Sequence, residues 1–138
     1  RKETGTMREI RFRGKTKYGV WVYGGFVKLN DTSYIVKVER QTFEPYSEIA
    51  TMEEVDPKTV GQSTGLKDRN GREIYEGDIL RDEFDRIFRV YWVDGEARFA
   101  IRQKKRKTEY FMVISHIHPV VIGNIWDNPE LLKGEETA

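Results

Sequence analysis

The densest chemistry in this 138-residue chain is a basic run, Arg102, Lys104, Lys105, Arg106 and Lys107, followed by Tyr110 and Phe111. Cations at that density can neutralise several phosphates while a neighbouring ring offers a base a face to stack on, a combination by which small β-barrels hold single strands. The candidate nucleic-acid-binding set is therefore Arg102, Lys104, Lys105, Arg106, Lys107 and Tyr110, and Arg8, Arg11, Arg13, Lys15 and Lys17 could widen the footprint. The competing reading is a solvated hairpin tip, because a net charge of +1 is small for a nucleic-acid binder.

Other constellations are weaker. Gly61-Gln62-Ser63-Thr64-Gly65 matches G-x-S-x-G, but a nucleophile elbow needs a strand before it and a helix after it, and Leu66 to Gly71 leads into a hairpin instead. Gly14-Lys15-Thr16 resembles the end of a phosphate-binding loop, yet Glu9 stands where the first glycine belongs and no helix follows. His116 and His118 would share one face of a strand, but no spacing selects further metal ligands. Asp68, Glu76 and Asp78 invite an acid-base reading, although turn chemistry already asks for Asp at such positions. The chain contains no cysteine, which excludes thiolate metal sites, disulfides and a cysteine nucleophile. No nucleophile, base and orienting group can be assembled, so the chain is read as non-enzymatic, with no catalytic, cofactor or metal site.

The elements that must position these residues are short strands. Glu9-Ile10-Arg11-Phe12-Arg13 alternates so that Ile10 and Phe12 face a core and Arg13 faces water. Val20 to Tyr23 should pair with it as a hairpin, Gly24-Gly25 suggests a bulge or a close backbone approach, and Ser33 to Glu39 is a third strand. From Gln41 to Glu54 the alternation lapses, and Pro45 with Ser47 to Met52 suits a loop with a short helical turn. Asn70-Gly71 predicts a type I′ hairpin turn, and Asp94-Gly95 a second hairpin turn between strands at Ile87–Val93 and 97–101. Tyr110 to Ile114 and Val120 to Ile125 are further strands, and Asn128-Pro129 should cap a helical turn. The three tryptophans, Trp21, Trp92 and Trp126, sit inside apolar alternations and read as packing residues.

Length favours one domain. The longest aliphatic run, Val120-Val121-Ile122, is far too short for a membrane span, and no apolar stretch follows the charged residues 1–6, so a secretory signal is not expected there. Charge is uneven: residues 1–40 hold ten Lys or Arg against four Asp or Glu, whereas residues 41–80 hold four against nine. Unlike thirds can attract within a fold or between subunits, which places a homo-oligomer among the readings.

Four blocks carry a family resemblance. They are Met7 to Gly14, Trp21 to Gly24, Val55 to Ile79 (VDPKTVGQSTGLKDRNGREIYEGDI) and Val121 to Leu132 (VIGNIWDNPELL). In that order they resemble the YopX-like proteins of phages and prophages. The resemblance implies a small β-rich protein with an SH3-type barrel, phage or prophage origin, and no activity whose residues can be carried over. The expectation is thus an all-β fold: an SH3-type small barrel of residues 55–125, N-terminal hairpin strands, and a short C-terminal helical turn. Residues 7–132 form a single domain in this reading, with a disordered or non-native tail at 1–6 and a flexible tail at 133–138. The expected function is a binding or interaction module in the bacterial cytoplasm, with nucleic acid or a host or phage protein as partner and no membrane association.

Overall fold

A computed structural model describes residues 8–40, 47–106, 109–111 and 114–134. The expected tail at 1–6, most of that at 133–138, and Lys107 lie outside these residues. The chain divides into two compact units, residues 1–65 and 66–138, each built on an antiparallel sheet. Mainly β structure is therefore correct, and no α-helix occurs among the described residues.

In the first unit β1 (Phe12–Lys15), β2 (Trp21–Leu29), β3 (Thr32–Arg40), β4 (Glu48–Glu54) and β5 (Gly61–Lys67) stand in the order β4-β3-β2-β1-β5. The expected β1–β2 hairpin is present, and Phe12 is half-buried with its ring centre 5.7 Å from that of Phe26, but Ile10 is 53% exposed and Arg13, expected to face water, is 2% exposed. Arg13 is accommodated because its guanidinium lies 4.8 Å from the centre of the Trp21 ring, an attraction that offsets part of the desolvation of the charge. At Gly24 the backbones do approach closely. A Cβ there would stand 2.1 Å from the Val36 carbonyl oxygen.

Two consecutive positive φ angles do occur in a hairpin, at Asn30 (+48°) and Asp31 (+67°) between β2 and β3. At the predicted position only Gly71 is positive (+85°), so the Asn70-Gly71 turn is not type I′. The loop and helical turn expected at Ser47 to Met52 is instead strand β4, paired with β3 from Tyr34↔Glu54 to Arg40↔Glu48. All seven residues of β4 are exposed, so no buried face leaves an alternation to read.

Val55 to Thr59 ties this unit together. Val55 fills the space over Gly14, where an added Cβ would lie 2.8 Å from its Cγ2. Asp56 donates its N–H to the Lys15 carbonyl at 2.8 Å, and the Thr59 hydroxyl oxygen accepts the Lys15 N–H at 2.9 Å while donating to the Asp56 carbonyl at 2.7 Å. Pro57 opens the intervening 3₁₀ turn.

The second unit contains a short strand β6 (Glu73–Tyr75) and a five-stranded sheet of β7 (Asp78–Arg81), β8 (Ile87–Val93), β9 (Arg98–Gln103), β10 (Glu109–Phe111) and β11 (Val120–Asn124). The order is β10-β9-β8-β7-β11, a meander whose last strand returns beside the first. The closed barrel of the expectation is not formed: among the described residues no ladder joins β10 to β11, and a three-residue β10 offers few backbone groups with which to close one. One face of this sheet carries the core, Leu80, Phe88, Val90 and Ile101 with Ile74, against which Ile114, Ile117 and Val121 pack.

Two turns in this unit share one construction. Asp68 Oδ1 accepts the N–H groups of Asn70 (2.9 Å) and Arg72 (2.8 Å), and Asp82 Oδ1 accepts those of Phe84 (2.9 Å) and Arg86 (2.8 Å). Each turn places one residue at positive φ, Gly71 or Asp85. The Asp94-Gly95 hairpin is formed as expected, with Val93 paired to Arg98: a 3₁₀ turn spans Asp94–Glu96, and the left-handed residue is Ala97 (φ +51°). The C-terminal helical turn is found at Pro129–Leu132 with Asn128 at its N-cap position and Pro129 next, as expected, but the Asn128 side chain makes no capping bond. That side chain reaches back over Gly123 and accepts the Asn124 N–H at 3.2 Å.

Candidate functional site

Alternation on β8 and β9 sends Phe88, Val90 and Ile101 into the core, so Arg89, Tyr91, Arg98 and Arg102 fall on the opposite face of the sheet. There Arg89 stands directly across from Arg102, and Arg102 directly across from Glu109 of β10. The guanidinium carbons of Arg89 and Arg102 lie 5.9 and 5.7 Å from the centre of the Tyr91 ring. The Tyr91 hydroxyl donates to Glu109 Oε1 at 2.7 Å, Arg98 Nη2 bonds Glu109 Oε2, and Arg98 Nε bonds Glu96 at 2.8 Å.

These contacts set the charge states. Burial and the Glu109 carboxylate both push the Tyr91 phenol up, so it remains a neutral donor. The hydrogen bonds from Tyr91 and Arg98 hold Glu109 below the usual carboxylate range, and Arg98 is pushed up mainly by Glu96. Three guanidinium groups thus share a face with two carboxylates, and Tyr91 acts as the platform that holds two of them in place. The face as a whole is cationic and can accept anionic groups.

The residues expected to act together divide between the two sides of this sheet. Arg102 is on the arginine face. Tyr110 pairs with Ile101, so it falls on the core side, 37% exposed at the edge of a groove. The aromatic partner of Arg102 is Tyr91 on the neighbouring strand β8, which precedes it in sequence, and not the Tyr110 ring that follows the basic run. Lys104, Lys105 and Arg106 form the turn that leaves β9, held by the Lys104 N–H bond to the Ile87 carbonyl (2.7 Å) and the Arg106 N–H bond to the Gln103 carbonyl (3.1 Å). Arg89, Tyr91 and Arg98 were missed. Their signal was present, as the polar-side members of Ile87-Phe88-Arg89-Val90-Tyr91 and Arg98-Phe99-Ala100-Ile101-Arg102, once both segments are read as paired strands.

The other constellations resolve into structure. Ser63 lies on strand β5, 7% exposed, with its Oγ accepting the Gly65 N–H at 3.1 Å, and β5 continues to Lys67 through Gly65 at φ +80° with no helix following. Thr16 closes a tight turn by accepting the Tyr18 and Val20 N–H groups on Oγ1, both at 3.3 Å. His116 ends a 3₁₀ turn and His118 follows at φ +44°, so the two do not share a strand face. No group of three or more His, Cys, Asp and Glu able to hold a metal ion occurs among the described residues. Asp78 is 1% exposed and accepts the Tyr75 N–H at 2.7 Å, which fixes the Glu76-Gly77 turn. Among the described residues no helix is long and apolar enough to cross a membrane.

Fold and face together define a small, mainly β protein with a cationic sheet surface. The model of the family described as YopX protein matches residues 11–133, and the chain belongs to this family. Among solved structures it is similar to protein EF1440 from Enterococcus faecalis, at 27% identity and a TM-score of 0.56, over 92% of this chain and 100% of that one. No curated protein matches the sequence. The residues that carried the resemblance are turn builders: Val55 to Thr59, Asp68 to Gly71, Tyr75 to Asp78 and Gly123 to Asn128 all close or clamp connections.

Proposed function

We propose that this chain is a non-enzymatic binding module of phage or prophage origin that takes single-stranded nucleic acid in the bacterial cytoplasm. It would do so on the Arg89–Tyr91–Arg102 face and the adjoining Lys104–Arg106 turn. In this reading the five-stranded sheet is an open, SH3-type half-barrel, supported by its meander and returning fifth strand. The observation that carries the proposal is the placement of Arg89 directly opposite Arg102 with both guanidiniums on one ring. Like charges placed opposite each other in a sheet are destabilising, and a phosphate laid across both would add to the compensation that Glu109 already gives Arg102.

A fluorescently labelled oligothymidylate measured by anisotropy at several salt concentrations tests this. Binding should weaken with salt, and the double variant Arg89→Glu, Arg102→Glu should lower the slope of log affinity against log salt by about 0.7 for each phosphate that is no longer neutralised. Failure of the unaltered chain to bind at low salt ends the proposal.

Self-association is the second reading, favoured by one sheet face of the β2–β3–β4 ribbon. Pairing puts Leu29, Val36, Val38, Ala50 and Met52 on the same side, with Leu29 50%, Val38 58% and Met52 46% exposed. Apolar side chains grouped this way are commonly covered by a partner surface. Sedimentation of the unaltered chain should show a dimer or larger species that Val38→Lys with Met52→Lys converts to monomer; a monomer at high concentration rejects it.

A further inference from the structure

On the core side of the second unit's sheet a groove of about 360 Å³ opens beside β9 and β10. Its floor is apolar: Phe88 and Ile101, each 3% exposed, and Ile117. Its rim is polar, with Gln103, Tyr110, His116 and Arg86. The volume lies within the roughly 300–1,000 Å³ span of small-ligand sites, and an apolar floor with a few convergent polar groups is the usual make-up of such sites.

We infer that this groove receives a nucleobase, carried either by a free nucleotide or by a single strand. The inference rests on the nucleic-acid reading above and assigns a base subsite to it. A flat ring matches the floor and the Tyr110 ring, against which it can stack. The Gln103 amide supplies both a donor and an acceptor for the polar edge of a base. The charge that a nucleotide brings is met one residue further on, because Gln103 is followed at once by Lys104, Lys105 and Arg106 in the tight turn. Beside that turn, which the Lys104 N–H ties to the Ile87 carbonyl, Arg86 is held in place: Asp82 Oδ2 accepts from its Nε at 2.6 Å, and its guanidinium lies 5.4 and 5.8 Å from the centres of the Phe84 and Phe88 rings. No other hydrogen bond to the Arg86 side chain occurs among the described residues, so its terminal amino groups remain available to a phosphate. This assignment gives Tyr110, placed away from Arg102 by strand alternation, a task of its own.

The test is an amide chemical-shift map of the full chain titrated with AMP, UMP, inorganic phosphate and an oligothymidylate. Nucleotide and oligonucleotide should shift Ile101, Gln103, Tyr110 and Ile117, while phosphate alone should shift only the turn and Arg86. Tyr110→Ala should weaken oligonucleotide binding by about tenfold, in keeping with the loss of one stacked base, and Gln103→Ala should weaken it less. Response to the mononucleotides without the oligonucleotide identifies a free nucleotide as the ligand and rejects the strand. Oligonucleotide shifts confined to Arg89, Arg102 and the turn, with Tyr110→Ala binding unchanged, overturn the base subsite and leave the nucleic-acid reading standing. Absence of any response overturns both.

Discussion

Gly77→Ala is expected to destabilise the second unit by about 3 kcal/mol or more, and Gly77→Val to prevent its folding. Gly77 has φ +91°, a conformation that alone costs a residue with a Cβ roughly 1–3 kcal/mol. The new carbon would also stand 2.3 and 2.4 Å from Cζ3 and Cη2 of Trp126, well inside contact distance of a rigid indole. The ring cannot give way cheaply, because the turn around it is tied at several points. Asn124 Oδ1 accepts the Trp126 and Asp127 N–H groups at 3.0 and 2.9 Å, and the Ile125 N–H donates to the Gly77 carbonyl at 2.9 Å. Gly77 also donates to Val90 at 2.9 Å, so a shift of its backbone would propagate into β8. Urea unfolding followed by tryptophan fluorescence measures the effect. A loss below about 1 kcal/mol would show that the close packing of Gly77 on Trp126 is wrong.

Asp68→Ala should cost about 3 kcal/mol, because three backbone donors lose their acceptor together. Besides Asn70 and Arg72 on Oδ1, the Val121 N–H donates to Oδ2 at 2.9 Å, joining the turn to β11. Each buried donor left unmatched costs roughly 1–3 kcal/mol, reduced where water can reach it. Asp68→Asn should lie between, since one oxygen can keep Asn70 and Arg72 while the amide nitrogen meets the Val121 donor. Acid provides a second readout. Burial pushes the Asp68 carboxyl up, but the bonds from Val121, Arg72 and Asn70 and the charge of Arg72 outweigh it and hold the group below 3.8. The folded state therefore binds this proton less readily than the unfolded state. The resulting stability is complete above the unfolded carboxylate range, about 3.9, and is lost as pH falls through the lower folded value. Asp82, held low in the same direction, adds to the trend. Urea midpoints followed downward from pH 5 should fall for the unaltered chain and fall less for Asp68→Asn. Parallel profiles would reject the assignment.

Much of this architecture was legible as β structure because several strands have one covered face. Ser33 to Glu39 and Ile87 to Val93 alternate, and both are strands. β4 was illegible for the opposite reason: Glu48-Ile49-Ala50-Thr51-Met52-Glu53-Glu54 combines helix-favouring residues with no buried side, and pairing with β3 alone overrides that preference. Arg13 misled because a cation over an indole can occupy a position that burial would ordinarily deny to charge. At the candidate site the basic run was visible, whereas its aromatic partner was not. Which ring joins Arg102 depends on cross-strand register, and register is a property of two segments and the connection between them. Tyr91 and Tyr110 are equally good candidates until β8, β9 and β10 are laid side by side.

The far end of the β2–β3–β4 ribbon is exposed on both sides, from Lys37 to Arg40 and from Glu48 to Glu54. Its amide protons are shielded by ladder bonds alone, without a covering layer to keep those bonds from breathing. Solvent deuterium should therefore enter this tip by local fraying, long before it reaches Leu80 or Val90. A segment that opens so readily can be reordered by whatever binds it without disturbing the rest of its unit.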